Sequence, residues 1–144
     1  MAESTTYTRS DFRRFEPVAP RWNDLDVFGH VNNAVFYELF DTVILRLLVG
    51  CGAISRDGPF AALVAESGAR FHREVLFTDV AEVGIRCARL GRTSLIYELG
   101  LFTAGRDDSA VDGRVVHVFA DRGTRLPIPM PDAAKALFTK LLVP

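Results

Sequence analysis

Cysteine is scarce: Cys51 and Cys87 are the only two in 144 residues, and they form neither a C-x-x-C pair nor a disulfide framework. Lysine is equally rare, with only Lys135 and Lys140 among the 17 basic residues. There is no basic run, and a formal net charge of −1 gives little field to draw the chain toward a nucleic-acid backbone. Nucleic acid is therefore excluded as an expected partner. The longest candidate membrane stretch, Ala34 to Val49, is interrupted by Glu38, Asp41 and Arg46 and is too short to span a bilayer. No repeat, low-complexity tract or linker divides the chain. Residues 1–10 are polar and lack an apolar signal core, so they read as a flexible leader ahead of one domain over 11–144. Together these absences describe a cytoplasmic protein with reduced thiols and no membrane insertion.

Several catalytic signatures are missing as well. No G-x-S-x-G elbow occurs, nor a G-x-G-x-x-G or G-x-x-x-x-G-K-[ST] loop. His30, His72 and His117 lie too far apart in sequence to make a local zinc pair, and no metal or cofactor is expected.

What is present is a globular composition, 49% hydrophobic and 24% charged, sufficient for one core. Pro17 and Pro20 disfavour helix between Phe15 and Trp22, which reads as extended. Asn32-Asn33 can cap a helix from about Ala34 to Val49, ended by Gly50 and Gly52. Along it Glu38, Asp41, Thr42 and Arg46 form one narrow polar stripe, and the rest is apolar. A helix apolar over most of its circumference must be covered on most sides.

Four extended segments follow. Pro59 to Phe71 carries Gly68 as a candidate bulge. Val80 to Leu90 places Val83, Ile85 and Cys87 on one face, and Ser94 to Thr103 aligns Leu95, Tyr97, Leu99 and Leu101. Val111 to Asp121 comes after the loop Gly105-Arg106-Asp107-Asp108, and Pro131 to Leu142 reads as a short amphipathic helix. Strand, helix, then four strands in a meander specify an α+β fold, an antiparallel five-stranded sheet wrapped around a long central helix.

Chemistry concentrates in Asp24-Leu25-Asp26-Val27-Phe28-Gly29-His30-Val31-Asn32-Asn33. A carboxylate, an imidazole and two amides stand within ten residues and lead into the buried helix. The unpaired N–H groups and partial positive charge of a helix N-terminus can stabilise an oxyanion. A nearby carboxylate can activate water or attack a carbonyl. The combination suits acyl-group hydrolysis, and it equally suits a polar loop that merely caps a helix.

The pattern D-x-D-x-x-G-H-V-N-N-x-x-[FY] resembles the signature of hotdog-fold acyl-CoA thioesterases of the 4-hydroxybenzoyl-CoA thioesterase type, in its G-H-V-N-N variant. The likeness extends through Phe71-His-Arg-Glu-Val, Asp79-Val-Ala-Glu-Val and Arg89-Leu-Gly-Arg-Thr-Ser94. It implies hydrolysis of an acyl-CoA or acyl-carrier-protein thioester. Asp26 would be the catalytic carboxylate and the main-chain N–H of Asn33 the oxyanion donor. His30 replaces the hydrophobic residue of the benzoyl-type enzymes; it would position water, touch substrate or brace the loop. Phe36 and Phe40 are candidate acyl-channel residues. Among Arg70, Arg73, Arg89 and Arg92, the last is the first candidate to grip CoA phosphates. His72 and His117 read as ordinary strand residues and Asp24 as structural. The resemblance further implies a homo-oligomer, a dimer or a dimer of dimers. Two rival functions remain open: a hotdog dehydratase or hydratase, and a non-catalytic acyl-binding module.

Overall fold

A computed structural model describes residues 5–144. Its strands are β1 (Arg14–Val18), β2 (Phe60–Phe71), β3 (Ala81–Leu90), β4 (Ser94–Thr103) and β5 (Val111–Asp121), and its helices are α1 (Asn33–Gly50) and α2 (Asp132–Thr139). The strands form one antiparallel sheet in the order β1-β3-β4-β5-β2. None of the described helices is long and apolar enough to cross a membrane.

The α+β arrangement read from the sequence is the observed one, with a correction to the meander. Only β3, β4 and β5 are consecutive neighbours, while β2 pairs with β5 at the far edge. Residues 72–80 between β2 and β3 are too many for a tight hairpin and carry the chain back across the sheet. Gly68 is also no bulge, since it pairs in register with Arg114; the irregularity lies between Val64 and Glu66.

Alternation along the strands sets the inner face. Val83, Ile85 and Cys87 on β3 and Leu95, Tyr97, Leu99 and Leu101 on β4 are fully buried toward α1. Each large apolar side chain so buried contributes roughly 1.5–3 kcal/mol. The helix presents Phe36, Phe40, Val43, Ile44, Leu47 and Leu48 to this surface, a stripe at helical spacing. Gly113 lets it come close, because a Cβ there would lie 2.5 Å from the Phe40 ring.

Within one chain the sheet covers only one side of α1. Tyr37 and Val49 remain 38% and 57% exposed, and Leu39 and Leu45 are half-buried. The covering on most sides expected from the helix's apolar circumference is therefore incomplete. Edge strand β2 is open too, with Val64 52% exposed.

The flexible leader needs correction where it is described. Thr8 bridges Asp108, Arg9–Asp11 form a 3-10 turn, and the Tyr7 ring packs edge-on against buried Phe12. Phe12 occupies the space that Gly84 and Gly100 leave on the outer face of the sheet. Apolar burial thus holds Tyr7–Ser10 down, and residues 1–4 lie outside the described part.

Candidate functional site

The motif forms a tight loop feeding α1. Leu25 and Val31 make a β-bridge, the Asp26 N–H donates to the His30 carbonyl at 3.0 Å, and the Gly29 N–H donates to the Asp26 carbonyl at 3.1 Å. Gly29 closes the turn at φ +85°, a conformation that side-chain-bearing residues rarely adopt. Asp24 is the buried anchor: its carbonyl accepts the Asn32 N–H at 2.8 Å. Burial works against its charge, but the Arg21 backbone N–H at 2.7 Å and the Arg21 guanidinium outweigh that and hold its carboxyl below the usual range.

The first turn of α1 uses its donors unequally. Ala34 N–H is capped by the Asn32 side chain at 2.9 Å, and Val35 N–H goes to the Asn32 carbonyl at 3.0 Å. Asn33 N–H has no partner among the described residues. Asp26 and Asn33 border one open cavity of about 270 Å³, together with His30, Phe36, Phe71 and His72. Asp26 is half-buried, and one of its oxygens accepts the Phe28 N–H at 2.9 Å.

The segment after β2 closes the other side. His30 Nε2 lies 2.8 Å from a Glu74 carboxylate oxygen, and Val31 N–H donates to the Val75 carbonyl at 2.8 Å. The Phe28 ring stacks on the His30 imidazole at 6.2 Å. Phe36 and Phe71 meet edge to face at 5.8 Å and form the apolar wall.

Two sequence candidates fall elsewhere. Phe40 is 1% exposed and packs into the core against Gly113, so it does not line the cavity. Its spacing of four from Phe36 puts both on the inward stripe, but only the first reaches the open end. Arg92 sits at the β3–β4 turn, and the β4 residues from Ser94 to Gly100, a span of about 20 Å, separate that turn from the Gly100–Asp112 pair beside the cavity. In the single chain it is separate from Asp26 and Asn33.

Sequence reasoning missed His72 and Glu74. His72 is no strand residue; it follows β2, lines the cavity, and holds Asp112 through Nε2 at 2.8 Å. Its partner stands 40 positions away, a separation at which one sequence carries no pairing signal. Arg73 also lines the cavity, yet its guanidinium is engaged by Thr103 Oγ1 at 3.0 Å and the Asp108 carbonyl at 3.2 Å.

A second polar pair lies farther along α1. Asp41 borders a groove with Tyr37, Val64 and Ser67, and burial raises its carboxyl pKa above the ordinary value. Behind it His117 is fully buried, with Nδ1 3.3 Å from the Tyr97 hydroxyl and Nε2 3.8 Å from Asp41, beyond hydrogen-bond reach. Desolvation lowers the His117 pKa to about 4. Among the described residues no three His, Cys, Asp or Glu side chains converge as a metal-ligand set.

Residues 20–138 match the model of the thioesterase-like superfamily. The chain is 34% identical to the PA5185 protein of Pseudomonas aeruginosa over 96% of this chain and 97% of that one, with a TM-score of 0.93. It is 32% identical to a Thermus thermophilus thioesterase complexed with coenzyme A and zinc, over 91% and 95% of the two chains, with a TM-score of 0.69. A 1,4-dihydroxy-2-naphthoyl-CoA thioesterase from Synechocystis shares the fold at 14% identity, over 88% and 96%, with a TM-score of 0.79. No protein of curated function matches the chain.

Proposed function

The chain belongs to the thioesterase-like superfamily, and on that premise we propose that it cleaves an acyl thioester, on coenzyme A or an acyl-carrier protein, to the free acid and thiol. The observation that carries this reading is the shared cavity of the Asp26 carboxylate and the unpartnered Asn33 N–H. The thioester oxygen accepts from Asn33 at the positive end of α1, where a fixed donor stabilises the developing oxyanion. Asp26 then attacks the carbonyl carbon or deprotonates a water that does. His30, tied to Glu74, positions substrate or water at the loop side. Phe36 and Phe71 receive the apolar part of the acyl group.

The G-H-V-N-N form of the motif supports a general or fatty acyl group over a benzoyl one. The uncovered flank of α1 and the open β2 edge support assembly into a homodimer or a dimer of dimers with closed symmetry. The reading assigns the protein to the cytoplasm, in keeping with the free thiols of Cys51 and Cys87. Carboxylate, water and helix terminus complete the chemistry, so activity is expected to survive EDTA. The test is a panel of acyl-CoAs of graded length and aromatic character, followed for free thiol and for enoyl absorbance together. Thiol release supports the proposal. An enoyl change alone would replace it with hydration or dehydration, and no change at all would leave an acyl-binding module.

A further inference from the structure

We propose, building on the thioesterase reading, that His72 is the general base of this site: it deprotonates the water that releases the acyl group, leaving Asp26 to make the first attack.

His72 is held through both its backbone and its ring. Its N–H and that of Arg73 both donate to the Ala110 carbonyl, at 2.9 and 3.2 Å, and the Arg73 guanidinium ties the same segment to Thr103 and Asp108. The imidazole is therefore carried on a fixed backbone. Its Nε2 meets Asp112 Oδ2 at 2.8 Å, and the Ser109 hydroxyl donates to the other oxygen of that carboxylate. A carboxylate only accepts, so Nε2 carries the proton and Nδ1 of the neutral ring keeps its lone pair. Nδ1 has no hydrogen-bond partner among the described residues. It is also absent from their buried unpartnered atoms, which are Arg86 Nε and His117 Nε2. An unpartnered atom that is not buried is open to water. His72 borders the cavity of Asp26 and Asn33, where the other titratable groups are His30, paired with Glu74, and the engaged Arg73.

A carboxylate-oriented imidazole with a free, water-accessible nitrogen has the geometry of a general base. The steps balance without a co-reactant. The Asp26 carboxylate attacks the thioester carbon, the carbonyl electrons move onto the oxygen held by Asn33, and collapse expels the thiolate and leaves an acyl–Asp26 anhydride. Water then attacks the anhydride while Nδ1 takes its proton. The acid departs, the Asp26 carboxylate is regenerated, and the proton passes from His72 to the thiolate or to solvent.

The test is rapid-mixing thiol release by the full chain, with the acyl-CoA that the wild type hydrolyses fastest. His72→Ala is expected to lower kcat about 10²–10⁴-fold and KM along with it, leaving kcat/KM, which acylation sets, nearly unchanged. Thiol should appear as a burst of one equivalent per site, because acylation survives while deacylation stalls, and added imidazole should restore turnover. Asp112→Asn, whose amide can donate to Nε2 and favour the other tautomer, should also lower kcat and leave a burst. It carries the same test if His72→Ala fails to fold. Unchanged kcat in the folded variants overturns the proposal, as does a loss with neither burst nor imidazole rescue. A wild type that releases no thiol from any acyl-CoA defeats the thioesterase reading itself, whereas an active wild type with unaffected variants defeats the His72 assignment alone.

Discussion

Two stretches of the seam along α1 carry the same residue types to opposite ends. At its N-terminus, Asp26, His30 and Asn33 sit in a loop whose backbone groups are hydrogen-bonded to one another and to Asp24 and Val75. The main chain satisfies itself, so the side chains and one N–H are left to face a cavity. Two turns along, Asp41 and His117 form the reverse case. There the imidazole is buried in the core with one nitrogen unsatisfied, and the carboxylate beside it is pushed toward its neutral form. Where the backbone is hydrogen-bonded to itself, a carboxylate and an N–H are left to face a cavity, whereas burying an imidazole with one nitrogen unsatisfied carries a cost in stability.

The largest effect is expected at Asp26. Asp26→Asn is expected to lower thiol release by about 10²–10⁴-fold while the melting temperature stays near that of the wild type. Near-normal turnover in the folded variant would move the chemistry away from this end of the helix. Next is the backbone donor. Asn33→Pro removes the N–H and should cost about 10²–10³ in kcat, whereas Asn33→Ala keeps it and should retain far more activity. Equal losses would point to the Asn33 side chain.

His117 and Asp41 are expected to show in stability instead. Burial holds His117 neutral down to about pH 4. Asp41, 3.8 Å away and itself disfavoured as an anion, gives an imidazolium little support. An unfolded chain takes up a proton near pH 6.5 that the fold refuses, so stability is lost as pH falls from about 6.5 toward 4. The loss approaches about 3 kcal/mol. Urea titrations across that window should show the acid limb in the wild type and a flatter one in His117→Leu. The smallest effect belongs to Asp41→Asn. Because the folded-state pKa of Asp41 is raised, its ionised form burdens the fold at neutral pH. The variant should melt slightly higher than the wild type at pH 7, and the gap should close toward pH 3, where both side chains are neutral.

Much of this is legible in the sequence because it is local. The period of two in Ala81–Leu90 and Ser94–Thr103 marks one face of each strand for burial, and the observed elements obey it. The Asn32 cap, the glycine stop at the end of α1 and the Asp26–Asn33 loop all rest on residues fewer than ten apart. Short separations leave the backbone few alternatives, so residue type and spacing are enough to locate a carboxylate beside a helix start.

Tertiary structure alone decided the rest. It carried β2 past the meander to pair with β5, which brought Asp112 to His72 from 40 positions away. It turned Phe40 into the core while its stripe-mate Phe36 reached the cavity, and it set Arg92 at the opposite end of the sheet. It also laid Tyr7–Phe12 over Gly84 and Gly100, a contact that no pattern within the polar N-terminal residues announces. These outcomes depend on which distant surfaces bury each other, and burial is a property of the packed chain as a whole. A periodic sequence names the face that must be covered; only the closed sheet determines what covers it.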